Sequence, residues 1–205
     1  MHDEKGYIQF RCEWQDAPPP AVPAGLIAWR DRLHGMNLIG VYPDGIGFGN
    51  ISVREPFLIS GTATGHLSHL EAEHFSEITG FDIAGNAVSC RGRVRASSES
   101  LSHAAVYRAD PAAMAVIHVH HLAAWEALRG RVPTTDPSAE AGTPQMADAI
   151  ASLLPLAGGF FVMGGHREGL VAYGASVDEA GNRLLSAILS LGMGTRLPGV
   201  ASEVA

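Results

Sequence analysis

Long apolar runs are missing from this 205-residue chain: no stretch approaches the roughly eighteen uninterrupted apolar residues that cross a bilayer. No membrane span is therefore expected. Cysteine is scarce, with Cys12 and Cys90 alone, too few for a disulfide framework and without C-x-x-C spacing. Reduced thiols in a cytoplasmic protein are the expectation. Basic residues are few and scattered, 14 Lys and Arg against 21 Asp and Glu, for a formal net charge of −7. That balance offers no basic stripe to nucleic acid or to an anionic membrane. An anionic substrate would have to be held locally, against the overall field. The N-terminal Met1-His2-Asp3-Glu4-Lys5 is charged and leads into no apolar run, so no signal peptide is expected.

What is present describes an ordinary globular protein. A hydrophobic fraction of 46% and a charged fraction of 17% suffice for one sizeable core, and the length suits one large domain better than two small ones. We expect a single domain over 1–205, with its core at about 25–191, an N-terminal strand and Pro-rich connector over 1–24, and a short tail over 192–205.

Residues Tyr7 to Trp14 alternate as an edge strand would. From Gly25 to Asn37, Leu26, Trp29, Leu33 and Met36 recur at spacings of three and four, which makes one apolar helix face. Pro43-Asp44-Gly45 turns the chain, and strands are expected over Gly49–Arg54 and Pro56–Ser60. Gly85-Asn86 joins a hairpin between Glu77–Ile83 and Ala87–Arg91. The spacing then predicts a helix from Ser97-Ser98-Glu99 to about Arg108, a buried strand over Ala115–His120 and a helix over Leu122–Leu128. Thr143 and Pro144 begin another helix as N-cap and first residue. Paired strands follow over Gly159–Met163 and Gly169–Tyr173. Ser176 and Glu179 form a capping box for a last helix ending near Leu191. Interleaved strands and helices without a repeat indicate an α/β domain on one mixed sheet.

Among ten histidines, His2 is terminal, and His34, His66, His69 and His74 have the polar neighbours of ordinary surface residues. His103 follows Glu99 by four residues on one helix face, which suits a supporting role. Val116-Ile117-His118-Val119-His120 differs in kind. Side chains alternate along a strand, so His118 and His120 leave the same face and can share a metal ion. A pair of satisfied histidines at a strand end would look the same. His166 is the best third candidate, because Gly164-Gly165 lets the backbone fold close and aim its ring inward. Three histidines with an open fourth position describe a catalytic zinc rather than a structural one.

Glu99, in the first turn of a helix, is the candidate acid/base, or a fourth ligand that swings away for substrate; it could equally serve the helix dipole alone. Ser97 and Ser98 beside free helix N–H groups offer a seat for phosphate. Gly45-Ile46-Gly47-Phe48-Gly49-Asn50 leads into a strand rather than following one into a helix, so it is no dinucleotide fingerprint. Its glycines suit close approach to an anion, with Asn50 as a donor and Ser60-Gly61-Thr62 closing the same pocket.

Taken in order, Gly49-Asn50-Ile51-Ser52-Val53-Arg54, Leu58-Ile59-Ser60-Gly61-Thr62, Ser97-Ser98-Glu99, Ala104-Ala105-Val106-Tyr107, Val116-Ile117-His118-Val119-His120, Gly142-Thr143 and Gly165-His166-Arg167-Glu168-Gly169-Leu170 resemble the class II aldolase/adducin family. The likeness spans about Gly25 to Leu191. It implies a three-layer α/β/α fold with a central mixed, largely antiparallel sheet, and a cyclic homotetramer with active sites between subunits. It also implies one divalent metal ion per subunit on His118, His120 and His166, zinc first and Mn2+, Co2+ or Ni2+ as alternatives. Glu99 would be the acid/base and a ligand when substrate is absent, with substrate phosphate at Asn50, Ser60, Gly61, Ser97 and Ser98. The implied activity is a metal-dependent aldolase-like lyase acting on a small sugar phosphate or related hydroxyketone through a metal-stabilised enediolate. A sugar-phosphate 4-epimerase, a dehydratase and a non-catalytic adducin-like binding module are the alternatives. The chain departs from the family in two places. Aldolase and epimerase members commonly use a tail tyrosine, and here none follows Tyr173. The position that supplies a hydroxyl near phosphate in some aldolases falls near Gly47. Asp136 or Glu140 could be a neighbouring subunit's contribution in place of the tyrosine; ordinary loop residues would look the same.

Overall fold

Side chains along the buried strand Ala115–His120 point alternately into two cores, one on each face of a sheet. The computed structural model describes residues 10–192. In chain order the elements are β1 (Arg11–Asp16), α1 (Ala24–Gly35), β2 (Gly40–Val41), β3 (Gly47–Phe48), β4 (Asn50–Val53), β5 (Leu58–Ser60), β6 (Phe75–Asp82), β7 (Ala87–Gly92), α2 (Ser100–Ala109), β8 (Ala115–His120), α3 (Leu122–Leu128), α4 (Pro144–Ala157), β9 (Phe160–Val162), β10 (Gly169–Gly174) and α5 (Val177–Leu189). Eight strands form one sheet in the order β1-β7-β6-β5-β4-β8-β10-β9. Within it β1 and β7 run parallel, and the other pairs are antiparallel. Val116, Val171 and Tyr173 pack with Leu101 and Val106 of α2 and Met146 and Ile150 of α4. Ile117, Val119, Leu170 and Ala172 pack on the opposite face with Leu26 and Leu33 of α1, Trp125 of α3 and Leu184 of α5. The three-layer arrangement expected from the family resemblance is present, and coverage on both faces explains why β8 reads as an apolar run.

Most predicted elements lie within a residue or two of the observed ones. The first strand runs Arg11–Asp16; Tyr7, Ile8 and Gln9 of the expected strand fall outside the described residues, as does the tail from residue 193. The strand expected from Pro56 begins at Leu58. Helix α2 starts three residues later than the serines suggest, because Ser97 turns the chain first: its carbonyl accepts from the Ser100 N–H (3.1 Å) and hydroxyl (2.6 Å). Thr143 caps α4 through the Met146 N–H at 3.2 Å. Ser176 caps α5 through the Glu179 N–H at 3.1 Å, but the Glu179 carboxylate accepts from the Ala175 N–H (2.7 Å) and Arg183 (2.6 Å), not from Ser176. The two-stranded hairpin of β2 and β3 is a feature that the sequence patterning did not reveal.

A buried guanidinium fixes the loop that follows β5. Arg30 of α1 donates to the carbonyls of Leu67 and Thr64, the latter at 2.8 Å, and the Thr64 hydroxyl donates to the Gly61 carbonyl at 2.8 Å. Cys12 and Cys90, distant in sequence, bring their free thiols to 3.7 Å across β1 and β7.

Helix α5 meets α1 at Gly181, where an added Cβ would overlap the Trp29 ring, and the Trp29 indole N–H donates to Asp178 at 2.6 Å. Gly181→Ala is therefore expected to lower the unfolding free energy by about 1–3 kcal/mol through overpacking. This would override the roughly 1 kcal/mol that alanine gains in helix propensity. Urea unfolding of the two proteins measures the sign.

Candidate metal centre

His118 and His120 continue the row of side chains that Val116 begins on the α2 face of the sheet. On β10, Val171 stands opposite His118 and Gly169 opposite His120. Glycine at 169 leaves room for imidazoles: a Cβ there would lie 2.6 Å from His166 Cδ2 and 3.2 Å from His118 Cε1. His166 arrives from the turn between β9 and β10, which is closed by hydrogen bonds from the His166 N–H to the Met163 carbonyl (3.2 Å) and from the Gly169 N–H to the His166 carbonyl (2.9 Å). Gly164 and Gly165 press against the carbonyls of Thr135 and Ala139, so neither has space for a Cβ.

The three rings point Nε2 at a common centre. His120 Nε2 lies 3.1 Å from His118 Nε2 and 2.8 Å from His166 Nε2. One nitrogen from each histidine falls within 4.8 Å of the others, and Glu99 is not a member of this group. In a tetrahedral site with Zn–N bonds of about 2.0–2.1 Å, ligand nitrogens lie about 3.3 Å apart, so the spacing suits one small cation.

Outer hydrogen bonds decide the tautomers. His118 Nδ1 lies 3.2 Å from the Leu170 carbonyl, which only accepts, so Nδ1 carries the proton and Nε2 a lone pair. Tyr42 Oη donates to Glu168 Oε2 at 2.7 Å and lies 2.8 Å from His120 Nδ1. The phenol proton being committed to the carboxylate, His120 Nδ1 is the donor to Tyr42. Two Nε2 lone pairs thus face each other, an arrangement that a cation between them would relieve.

Burial keeps these rings uncharged. It lowers the pKa of His118 to about 4, with the Glu99 carboxylate pulling it upward and His166 pushing it down. It also takes His120 well below the ordinary value, aided by His118 and His166. Neutral imidazoles are the ligating form. Burial and the Glu168 carboxylate hold the Tyr42 phenol well above its usual range, so it keeps its proton.

Glu99 occupies the N-cap position of α2, is buried, and accepts from the Ser102 hydroxyl at 2.6 Å. Asn50 is buried opposite His118 on β4, and its Oδ1 has no partner among the described residues. The Ser60 hydroxyl accepts from the Ile51 N–H at 3.2 Å and can still donate its own proton, and the Gly61 N–H donates to the His74 carbonyl at 2.9 Å. Ser97 is buried and its hydroxyl accepts from the Glu99 N–H at 3.3 Å, while Ser98 is half-buried. Gly61 bridges to Ala96, the residue before Ser97, and Asn50 pairs with His118. His103 does not bond the Glu99 side chain. Its Nδ1 meets Ser52 Oγ at 2.6 Å, Ser52 Oγ meets Tyr107 Oη at 2.7 Å, and the buried His103 Nε2 has no partner among the described residues. Asp136 accepts from Ser138 within its own exposed loop, and Glu140 is exposed.

Comparison with known proteins accords with this geometry. The family described as Class II Aldolase and Adducin N-terminal domain matches residues 44–135. Over that segment the chain is similar to the class II aldolase/adducin family. Solved structures share its fold at low identity. The l-fuculose-1-phosphate aldolase of Thermus thermophilus is 22% identical with a TM-score of 0.56, over 86% of this chain and 97% of that one. YgbL from Klebsiella pneumoniae, described under the alternatives aldolase, epimerase and decarboxylase, is 22% identical with a TM-score of 0.60, over 87% and 92%. A sugar-phosphate aldolase of Thermotoga maritima is 14% identical with a TM-score of 0.58, over 83% and 94%. No curated protein matches the sequence. The matched segment holds Asn50, Glu99, His118 and His120; His166 lies beyond it and joins them through the β8–β10 pairing.

Tyr42, Phe48 and Glu168 border His120 without having been assigned a role from sequence. The Phe48 ring stacks on His120 at 5.4 Å and meets Tyr42 at 4.5 Å. No spacing rule joins Tyr42 to residues 78 and 126 positions away.

Gly169→Ala is expected to push the His166 and His118 rings apart and weaken zinc binding, measured by competition with a chromophoric chelator. Acid should destabilise the metal-free protein. Folded, His103 and His118 have pKa values below the roughly 6.5 of the unfolded chain. Below that pH the unfolded chain takes up protons that the folded one refuses, so stability complete above about pH 6.5 is lost as pH falls towards 4. His103→Gln should flatten this slope in urea midpoints recorded across the range, and an unaltered slope would remove His103 from the explanation.

Proposed function

We propose that this chain is a metal-dependent lyase that makes or breaks an aldol bond in a small sugar phosphate or related hydroxyketone. The convergence of Nε2 atoms from His118, His120 and His166 carries this reading. Such a donor set suits zinc, with manganese, cobalt or nickel as substitutes. When bound, the cation would supply Lewis-acid stabilisation for negative charge developing on a substrate oxygen. The rest of the work belongs to this chain's own groups.

Glu99 is the acid/base. Burial at the mouth of α2 and a single short bond from Ser102 hold its carboxylate beside the histidines, where it can take the proton lost in bond cleavage and return it. In the absence of substrate a small movement would bring it to the cation as a fourth ligand. Asn50 holds the substrate from the neighbouring strand, its unpartnered side-chain oxygen being free to accept from a hydroxyl or, with the amide reversed, to donate to a phosphate. Ser97 and Ser98 complete the anion seat. Ser60, whose hydroxyl accepts from Ile51 and can still donate, and Gly61 would line the same seat. Buried uncharged rings and an acid/base serve no purpose in a pure scaffold, which favours an enzyme over an adducin-like binding module. The family likeness further supports a cyclic cytoplasmic homotetramer built from one domain per chain, with the active site completed by a neighbouring subunit.

Protein stripped with a chelator and reloaded with zinc, manganese or cobalt should regain carbonyl release from one member of a panel of phosphorylated and unphosphorylated aldols. Failure to take up any of the three metals would end the metal-dependent reading. Glu99→Gln should lower kcat by about 10²–10⁴ with the bound zinc retained, and full turnover in that variant would take the proton transfer away from Glu99.

A further inference from the structure

His120 is surrounded by more than a metal ligand requires. Tyr42 Oη stands between its Nδ1 (2.8 Å) and Glu168 Oε2 (2.7 Å), and Phe48 stacks on the ring. Glu168 can only accept, so both hydrogen bonds point the same way, from imidazole to phenol to carboxylate. That direction leaves the Nε2 lone pair aimed at His118 and His166. It also places negative charge two bonds behind the ligand, which strengthens the donor atom.

Two further features show that the chain is built around this arrangement. Glu168 adopts φ 73°, a left-handed conformation uncommon for a side chain of its size. It is held there by its own carbonyl, which accepts from the His121 N–H at 2.9 Å, one residue past the end of β8. Tyr42 is fixed by the turn of the β2–β3 hairpin, with its N–H on the Ile46 carbonyl and its carbonyl on the Gly45 N–H, both at 2.8 Å.

We propose that Tyr42 and Glu168 are positioning residues for the metal centre, acting through His120, and that they tie the β2–β3 hairpin to occupancy of the site. The inference rests on the metal-binding reading above. His118 is oriented by a backbone carbonyl that no substitution removes, whereas His120 depends on two side chains that can be altered one at a time. In Tyr42→Phe the ring remains against Phe48 but the relay is gone. In Glu168→Gln the amide oxygen still accepts from Tyr42, and only the charge is lost.

The test titrates zinc into the full metal-free chain against a chromophoric chelator, for wild type, Tyr42→Phe and Glu168→Gln. Thermal transitions of the metal-free proteins and absorption spectra of their cobalt forms are recorded alongside. The expected result is graded: zinc affinity falls about 10–100-fold in Tyr42→Phe and by less in Glu168→Gln, the cobalt ligand-field bands shift in both, and the metal-free transitions stay close to wild type. Wild-type zinc binding with both variants within twofold of it overturns the relay and leaves the metal centre standing. Weakened binding matched by collapse of the metal-free thermal transition in both variants also overturns it, since the residues would then be structural. Wild-type protein that takes up no zinc defeats the metal-binding reading and the relay with it.

Discussion

The antiparallel pairing of β8 with β10 is the constraint on which the site depends. Its register sets Gly169 opposite His120 and Val171 opposite His118. A slip of one residue would turn every side chain of β10 to the other face and set a bulky residue where the imidazoles need an empty position. The same pairing brings the β9–β10 turn, and His166 with it, to the end of β8. Apolar packing of Val116, Val171 and Tyr173 under α2 and α4 holds that register. The chemistry at the strand end is therefore secured by the core at its middle.

Burial does two opposing things at this strand end. It keeps His118 and His120 uncharged, which leaves their lone pairs available, and it crowds those lone pairs together. The Leu170 carbonyl and Tyr42 orient the rings from behind. Facing lone pairs are electrostatically unfavourable, and a cation held by His118, His120 and His166 would relieve them, which would couple ion binding to local folding. The α2 layer adds polar contacts from below, with Glu99 on Ser102 and His103 on Ser52 and Tyr107.

Much of this was legible in the sequence, for definable reasons. Period-two spacing placed His118 and His120 on one face, and the glycines before His166 marked a turn that must pass close to other backbone. Caps at Thr143 and Ser176 were readable because one local hydrogen bond decides each. The start of α2 was not, because Ser97 had a turn of its own to make. The β2–β3 hairpin escaped notice since its paired segments are two residues long and carry no periodicity. The Ser60 hydroxyl and the Gly61 N–H also meet Ile51 and His74, contacts set by tertiary structure rather than local sequence. The role of Tyr42 depends on three segments meeting, and no local pattern records that.

The backbone at Glu168 gives one position where durability and chemistry pull in opposite directions. Left-handed φ at a non-glycine residue costs on the order of 1 kcal/mol, so glycine at 168 would relax the turn and raise the resistance of the metal-free protein to heat. It would also delete the carboxylate behind Tyr42. A screen for thermal tolerance alone would collect that replacement as an improvement, while selection for a working centre would discard it. Strain retained at this turn is a mark of what the fold has been kept for.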